Sequence, residues 1–241
     1  MKLLAIDTSS LACSAALAVD GRVFERHEEQ AREHTRLLMP MIQKVLAEAG
    51  IAPEQLDAVV LGNGPGSFIG MRIAASVAQG IAHGAGLDIV PVSSLAAVAA
   101  QAFAEADATE VVVAQDAHMS EVYLGAFRRG AGDQPEEIFP ERLQTQTLIE
   151  ELAAERAASR AGAGSGWERY PGLAAANATV IGKLLPVSHP RARYLLALGE
   201  AALERGDAVS PQDLVPAYLR SKVAQKPAPN IGLEPSTWTA A

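Results

Sequence analysis

Short apolar runs alternate with turn signals along the first hundred residues. Apolar runs of about four to eight residues are typical of buried strands, and apolar positions three and four residues apart are typical of helices. A Gly directly after a periodic segment indicates its end. The pattern predicts strands over 3–6, 13–19 and 23–27, a helix over 35–49 closed by Gly50, a strand over 58–61, a helix over 67–83, a strand over 89–92 and a helix opened by Ser93 or Ser94.

The predicted order, β-β-β-α-β-α-β-α, joins a hairpin-rich start to strands that alternate with helices. Asp20-Gly21, between the second and third strands, is typical of a two-residue hairpin turn. Parallel strands joined through helices need right-handed crossovers and a sheet with covered faces. The pattern therefore predicts an α/β fold with a mixed sheet.

The second half of the chain repeats the start in reduced form. LLAIDTSSLACSAALAVDG and VVVAQDAHMSEVYLGAFRRG share an apolar run, an Asp, a polar turn, a second apolar run and a Gly. Asp7 precedes Gly21 by fourteen residues, and Asp116 precedes Gly130 by the same interval. These matches indicate a duplicated unit. The remainder predicts a helix capped by Thr147, a Gly-rich turn over 162–166, a strand near 179–181 and a helix over 190–205 closed by Gly206.

We therefore divide the chain into four parts. The first unit covers 1–106, and the reduced second unit covers 107–189. A C-terminal helix and segment over 190–220 is expected to pack back on both units. After Arg220, prolines are frequent and periodicity is lost, which predicts a mobile tail over 221–241.

The composition narrows the classes of function. The chain of 241 residues is 49% hydrophobic and has a formal net charge of −8. Nucleic-acid surfaces are rich in Lys and Arg, so little or no direct nucleic acid binding is expected. Cys13 is the single cysteine, which excludes an internal disulfide framework. Without a charged-then-apolar leader or a run of about 18 apolar residues, we expect a cytoplasmic protein that does not contact membranes.

Residues 61–80, LGNGPGSFIGMRIAASVAQG, place a glycine-rich turn between a predicted strand and a predicted helix. Neither Gly-x-Gly-x-x-Gly nor a Gly-Lys-Ser/Thr motif fits, yet glycines before a helix N-terminus can favour an anion. A tight turn capped by Ser67 explains the segment equally well. Likewise, the polar residues that end the first strand would suit a hydrated Mg²⁺ or an ordinary turn. This candidate phosphate or nucleotide site consists of Asp7, Thr8, Ser9, Gly64, Gly66 and Ser67.

Other catalytic chemistry finds no support in the sequence. No two of the five histidines are four residues apart, so the sequence lacks a His-x-x-x-His metal pair. A Gly-x-Ser-x-Gly elbow is missing too, and Cys13 lies in an apolar run. We therefore predict no catalytic residues and no bound metal.

The predicted helices over 35–49 and 67–83 carry more apolar residues than one buried face requires. The second of them combines small residues with Ile and Val, which suits close approach of another helix. Packing on the chain's own sheet accounts for at least part of both stripes. The candidate partner interface consists of Leu37, Leu38, Met41, Ile42, Val45, Gly70, Ile73, Ala74, Val77, Ala78 and Ile81.

Five stretches closely resemble the TsaB family, also called YeaZ, of bacterial tRNA threonylcarbamoyladenosine biosynthesis proteins. They are MKLLAIDTSS at the start, HTRLLMPMI at 34–42, GNGPGSFIGMRIA at 62–74, QDAHMSEVYLGAF at 115–127 and VPAYLR at 215–220. The resemblance implies two ribonuclease H-like subdomains of the actin, hexokinase and Hsp70 type, related by duplication, with the second one reduced.

The resemblance also implies a non-catalytic role. Family members resemble their catalytic partner TsaD, in which PVHHMEGH supplies two metal-binding histidines. This chain has PVSSLAAV at 91–98, so Ser94 and Val98 stand at the ligand positions. The implied protein is a scaffold for forming threonylcarbamoyladenosine at position 37 of tRNAs that read codons starting with A.

The implied partners are TsaD, bound as a heterodimer through the helices over 35–49 and 67–83, and the ATPase TsaE. A homodimer is implied for the isolated chain. The resemblance implies no catalytically bound cofactor, and places any ATP or ADP with Mg²⁺ at the interface of the complex. Two other hypotheses stay open: a stand-alone nucleotide-dependent kinase or transferase that uses Asp7, and a metal-dependent peptidase.

Overall fold

Two five-stranded sheets form the framework of the molecule. The computed structural model describes residues 1–30, 32–153 and 160–220, and the tail predicted over 221–241 lies outside these described residues. The first sheet contains β1 Leu3–Asp7, β2 Ala12–Val19, β3 Arg22–Glu29, β4 Ala58–Gly62 and β5 Ile89–Val92. The second contains β6 Glu110–Asp116, β7 Glu121–Arg129, β8 Pro135–Thr145, β9 Arg160–Ala163 and β10 Lys183–Leu184.

The two sheets have the same strand order and the same strand directions. The order is β3-β2-β1-β4-β5 in the first and β8-β7-β6-β9-β10 in the second. In each sheet the first three strands pair antiparallel, and the other two add in parallel. Asp7 ends β1 opposite Ser14, and Asp116 ends β6 opposite Val122. This common topology confirms the predicted duplicated unit and the α/β class.

The helices cover the sheets on both faces. The three helices predicted over 35–49, 67–83 and 190–205 are confirmed to within two residues at each end. Gly50 and Gly206 end two of them in the left-handed conformation, which glycine adopts without strain. Ser93 caps the helix after β5, since its Oγ accepts from the Ala96 N–H. The helices are α1 His34–Ala49, α2 Phe68–Ala85, α3 Ser94–Glu105, α4 Glu150–Ala153, α5 Ser165–Arg169, α6 Pro171–Ala176 and α7 Ala192–Arg205.

The two faces of the first sheet bury different helices. Along β1, Leu4 and Ile6 point to the core formed with α1 and α2, whereas Leu3 and Ala5 point to the core formed with α7. This alternation follows from the two-residue period of a strand. At Gly199 of α7, a Cβ would lie 2.4 Å from a methyl group of Val60, so this helix packs very closely on the sheet. Both faces of the first sheet are therefore covered within the chain.

The helix that follows the last strand of each unit packs across to the other unit. Leu95 and Val98 of α3 lie in the core of the second sheet with Val111 and Phe127. In return, α7 follows the second sheet in the chain and packs on the first sheet, where it also meets Ala97 of α3. This exchange of helices joins the two halves through apolar contacts. It also holds Ser93, which lies between β5 and α3, at the seam between the two sheets.

Two predictions for the second unit are wrong, and a third is wrong in part. Residues 177–180 form a turn instead of a strand, because the buried Asn177 side chain bonds to backbone groups at 147, 149 and 173. The Gly-rich turn predicted over 162–166 is confirmed at Gly164, which has a positive φ between β9 and α5. Gly162, however, lies inside β9, where a Cβ would meet the Leu184 side chain and the Trp167 ring. Thr147 does not cap the helix that follows it, because its hydroxyl accepts from the Gln144 side chain. The N–H of Ile149, just before α4, donates to the Asn177 side chain instead. Strand β8 and the short helices α5 and α6 were not predicted.

Candidate functional site

The glycine-rich turn packs directly on the turn between β1 and β2. A Cβ at Gly66 would lie 2.2 Å from the Ser9 carbonyl oxygen, and one at Gly70 would lie 1.9 Å from the Thr8 carbonyl oxygen. Two hydrogen bonds tie the turns together: the Ser67 N–H donates to the Ser9 oxygen (2.6 Å), and the Thr8 hydroxyl donates to the Gly70 oxygen (2.6 Å). Glycine is required at both positions because the two backbones are in contact.

The residues of the candidate phosphate site do come together, but their hydrogen bonds go to one another and to the neighbouring Gly70 and Ser94. The Gly70 N–H, in the first turn of α2, donates to Ser67 Oγ, which confirms Ser67 as the helix cap. The Gly64 N–H donates to Ser94 Oγ, and the Ser94 N–H donates back to the Gly64 oxygen. These groups are directed at the chain's own atoms, as the tight-turn interpretation requires.

Asp7 is the buried centre of this arrangement. Its Oδ1 accepts from the N–H and the hydroxyl of Ser9, both at 2.8 Å, and its Oδ2 accepts from the Ser94 hydroxyl at 2.6 Å. The residue is 1% exposed, and burial raises the pKa of its carboxyl to about 6 despite the three hydrogen bonds. A Cβ at Gly62 would lie 1.9 Å from Oδ2, so the neighbouring strand also closes on the carboxyl.

The two positions that the resemblance aligns with metal ligands are both inside the protein. Ser94 is 1% exposed and bonds to Asp7, and Val98 is 0% exposed in the apolar core with the second sheet. Over residues 1–30, 32–153 and 160–220, no group of three or more His, Cys, Asp or Glu side chains is arranged to hold a metal ion. The side chains at this place therefore have a packing role in the structure.

Glu141 is a second carboxyl at the seam between the sheets; it is half-buried, and the sequence did not point to it. It lies on β8 and accepts a short hydrogen bond from the Ser93 hydroxyl. Burial raises its pKa to about 7, and the nearby Glu137 charge acts in the same direction. No signal in the sequence could have found it, because β8 itself was missed.

A C-terminal strap, residues 215–220, runs from the glycine turn to the hairpin of the second sheet. The Asn63 amide donates to the Val215 oxygen, and the Ala217 N–H donates to the Asn63 oxygen. At the other end, Arg220 donates to the Ala117 oxygen (3.0 Å) and pairs with Glu121 (2.7 Å). The strap therefore bridges the two units beside the Asp7 centre.

The residues of the candidate partner interface divide into two sets. Gly70 is buried, and the side chains of the other six in the first set are at most 3% exposed, so they belong to the core of the first sheet. The second set is half-buried and reaches the surface. The first set is Leu38, Met41, Ile42, Val45, Gly70, Ala74 and Ala78, and the second is Leu37, Ile73, Val77 and Ile81.

An apolar groove of about 390 Å³ lies between α1 and α2. Ile73 and Val77 line it, while Met39 (40% exposed) and Ile69 (70% exposed) stand at its edge. Met39 and Ile69 were not predicted for the partner interface, although both continue the apolar stripes of their helices. His34, Thr35, Leu38, Arg72 and Ser76 complete the lining.

The comparisons with known proteins agree with this architecture. A family model described as TsaD, tRNA N6-adenosine threonylcarbamoyltransferase, matches residues 26–228. The TsaB protein of Haemophilus influenzae, described as a tRNA threonylcarbamoyladenosine biosynthesis protein, is 36% identical over 95% of this chain and 98% of its own length. The chain belongs to the TsaB family. The predicted resemblance is thereby confirmed.

Further relatives support the TsaB assignment and the fold. Escherichia coli TsaB is 36% identical over 95% of this chain and 99% of its own length. The solved structure of YeaZ from Pseudomonas aeruginosa is 36% identical, covers 90% of this chain and 99% of that chain, and superposes with a TM-score of 0.80. The fold is thus the two-unit arrangement of the actin, hexokinase and Hsp70 type. Within the described ranges, no helix of this TsaB-family chain has the length and apolar character to cross a bilayer.

Proposed function

We propose that the chain is a non-catalytic scaffold subunit in the formation of threonylcarbamoyladenosine at position 37 of tRNAs that read codons starting with A. It binds TsaD as a heterodimer, helps to recruit the ATPase TsaE, and acts in the cytoplasm. The names of its TsaB relatives support the pathway, and the matching family model shows that the chain is similar to TsaD itself.

The observation that carries the proposal is the contrast between the closed Asp7 centre and the open groove. The polar groups around Asp7 are bonded within the chain, whereas large apolar side chains surround the groove at the surface. Apolar surfaces of this kind are typical of protein interfaces. We place TsaD on this groove through Ile73, Val77, Met39 and Ile69, with Leu37 and Ile81 as further half-buried contacts on the same two helices. The isolated chain uses the same groove as a homodimer.

The proposal assigns no catalytic cofactor and little or no direct tRNA contact to this chain, consistent with its net charge of −8. ATP or ADP with Mg²⁺ belongs to the interface of the assembled complex. The alternative function, a stand-alone nucleotide-dependent kinase or transferase, would need the Asp7 carboxylate to reach a substrate, and it predicts nucleotide turnover by the chain alone.

The test uses the full chain with TsaD and TsaE of the same organism. We expect co-elution with TsaD, no ATP hydrolysis by the chain alone, and modified adenosine in tRNA after all components are combined. Omitting this chain should abolish the modification. Failure to co-elute with TsaD would reject the scaffold, and nucleotide turnover that Asp7→Asn abolishes would favour the alternative.

A further inference from the structure

Arg72 is a charged side chain held in place at the edge of the apolar groove. Its guanidinium lies 3.5 Å from the centre of the Phe68 ring, and its Nε donates to the Tyr218 hydroxyl at 3.1 Å. The Phe68 and Tyr218 rings are in contact, with centroids 5.5 Å apart. An aromatic face and one fixed hydrogen bond restrict a side chain that otherwise has high rotamer entropy. The charge is therefore preoriented before any partner binds.

The guanidinium of Arg72 has no carboxylate partner among the residues that the structure describes, although it is exposed. Several other surface arginines of this acidic chain are paired: Arg26 with Glu48, Arg36 with Glu33, and Arg205 with Asp207. Among the described residues, the exposed Arg22, Arg32 and Arg169 lack a carboxylate partner as Arg72 does, but they lie outside the groove. Planar guanidinium groups bind carboxylates in a bidentate manner. The Nε of Arg72 already donates to the Tyr218 hydroxyl. The terminal nitrogens thus suit an acidic group brought by another molecule.

The two helices beside the groove are locally basic on a chain of net charge −8. Within α1 and α2, Arg36, Lys44 and Arg72 are basic and Glu48 is the one acidic residue. Glu48 already pairs with Arg26. A second copy of this chain would thus bring a second Arg72 on α2 but no unpaired carboxylate on either helix. Charge complementarity favours a different protein over a second copy.

We infer that Arg72, positioned by Phe68 and Tyr218, selects a partner helix that carries a carboxylate at one end of its apolar face, and so favours the heterologous complex over the homodimer. The inference rests on the proposed function, since it names the chemistry of the partner at the same groove. Tyr218 is a positioning residue, and it links the strap to the partner surface.

The first experiment measures binding of Arg72→Met to purified TsaD by isothermal calorimetry, with self-association of the same variant followed by sedimentation. Met keeps the apolar stem of the side chain and removes the charge. We expect binding to TsaD to weaken about tenfold. Self-association should be unchanged or tighter. Arg205→Met is the matched control, because α7 lies on the opposite face of the first sheet, and both equilibria should match the wild type.

Salt dependence separates a charge effect from a packing effect. Wild-type binding to TsaD should weaken between about 0.05 and 0.5 M NaCl, and Arg72→Met should weaken less over the same range. Tyr218→Phe removes the acceptor of the Arg72 Nε–H. It should weaken binding about two- to threefold in the wild-type background and have no effect in the Arg72→Met background.

The outcomes distinguish this inference from the proposed function. Wild-type affinity of Arg72→Met for TsaD, with Val77→Glu still abolishing the complex, would overturn the selection by Arg72 and leave the scaffold intact. An equal loss of the heterologous complex and the homodimer would also overturn it. If the wild-type chain does not bind TsaD at all, the proposed function fails and the inference fails with it.

Discussion

The hydroxyl of Ser94 donates a 2.6 Å hydrogen bond to Oδ2 of Asp7 and joins the first residue of α3 to the last residue of β1. The same oxygen of Ser94 accepts from the Gly64 N–H at 3.2 Å. One buried side chain therefore connects β1, the glycine turn and α3. The resemblance to TsaD aligns Ser94 with a metal-binding histidine. In this chain, Ser94 instead forms hydrogen bonds inside the protein.

Ser94→Ala should destabilise the fold by about 2 kcal/mol, because it leaves a buried carboxylate oxygen and a buried N–H without their partner. The free energy of unfolding, measured by urea titration at pH 7.5, checks this value. Ser76→Ala, at an exposed position of α2, is the control and should change stability by less than about 0.5 kcal/mol. Equal midpoints for Ser94→Ala and wild type would show that the Asp7 hydrogen bond contributes nothing.

The raised pKa of Asp7 predicts a stability that falls as the pH rises. An ordinary carboxyl has a pKa of 3.8, and that of Asp7 in the folded chain is about 6. Between these values the folded state holds more protons than the unfolded state, so the contribution is fully present below pH 3.8 and is lost as the pH passes 6. The loss amounts to about 3 kcal/mol. Glu141, whose pKa is raised to about 7, adds a change of the same sign.

Asp7→Asn removes the titrating group while it keeps an oxygen for the Ser9 donors. The free energy of unfolding of wild type minus that of the variant should decrease between pH 4 and 7 and stay constant above pH 7. Glu141→Gln should remove the later part of the wild-type change. A wild-type curve parallel to that of Asp7→Asn throughout would contradict the raised pKa.

The first unit could be predicted from the sequence because its strands and helices carry strong periodic signals. Leu38, Met41 and Val45 fall at helical spacing. The interval from Asp7 to Gly21 recurs from Asp116 to Gly130, which indicated the second hairpin. Periodicity showed that these helices are amphipathic, but it could not show which residues α1 and α2 bury against the sheet and which they leave at the groove. That division depends on how the two helices pack together.

The second unit was harder to predict because tertiary contacts decide its local structure. Asn177 holds a turn in place of the predicted strand through three side-chain hydrogen bonds to backbone groups, two of them 28 and 30 residues away. Gly162 lies in a strand rather than a turn, and glycine is needed there because the Leu184 side chain and the Trp167 ring leave no room for a Cβ. Neither effect is visible in local propensity. The bonds of Ser94 to Asp7, of Glu141 to Ser93 and of Arg72 to Tyr218 are missed for the same reason, since these partners are 48 to 146 residues apart.

Glycines of α2 should respond to substitution in opposite directions. In Gly70→Ala the new Cβ meets the Thr8 carbonyl oxygen at 1.9 Å, and two backbone segments must separate. We expect a loss of about 3 kcal/mol or more. Gly80 and Gly84 have open space around them, so Ala at either site should add about 1 kcal/mol through helix propensity. Thermal unfolding followed by circular dichroism measures all three, and a tolerated Gly70→Ala would contradict the close contact of the two turns.

A charged residue should act differently at Leu38 and at Val77, although both were predicted for the partner interface. Leu38 is 1% exposed, so Leu38→Glu buries an unpaired charge and should unfold the chain. Val77 is half-buried at the groove, so Val77→Glu should keep the circular dichroism spectrum and abolish co-elution with TsaD. Val23→Glu on β3, at a side chain 48% exposed outside the groove, is the control and should do neither. A folded Val77→Glu that still binds TsaD would move the partner surface away from the groove, because a carboxylate among Ile73, Ile69 and Met39 cannot be desolvated without a large cost.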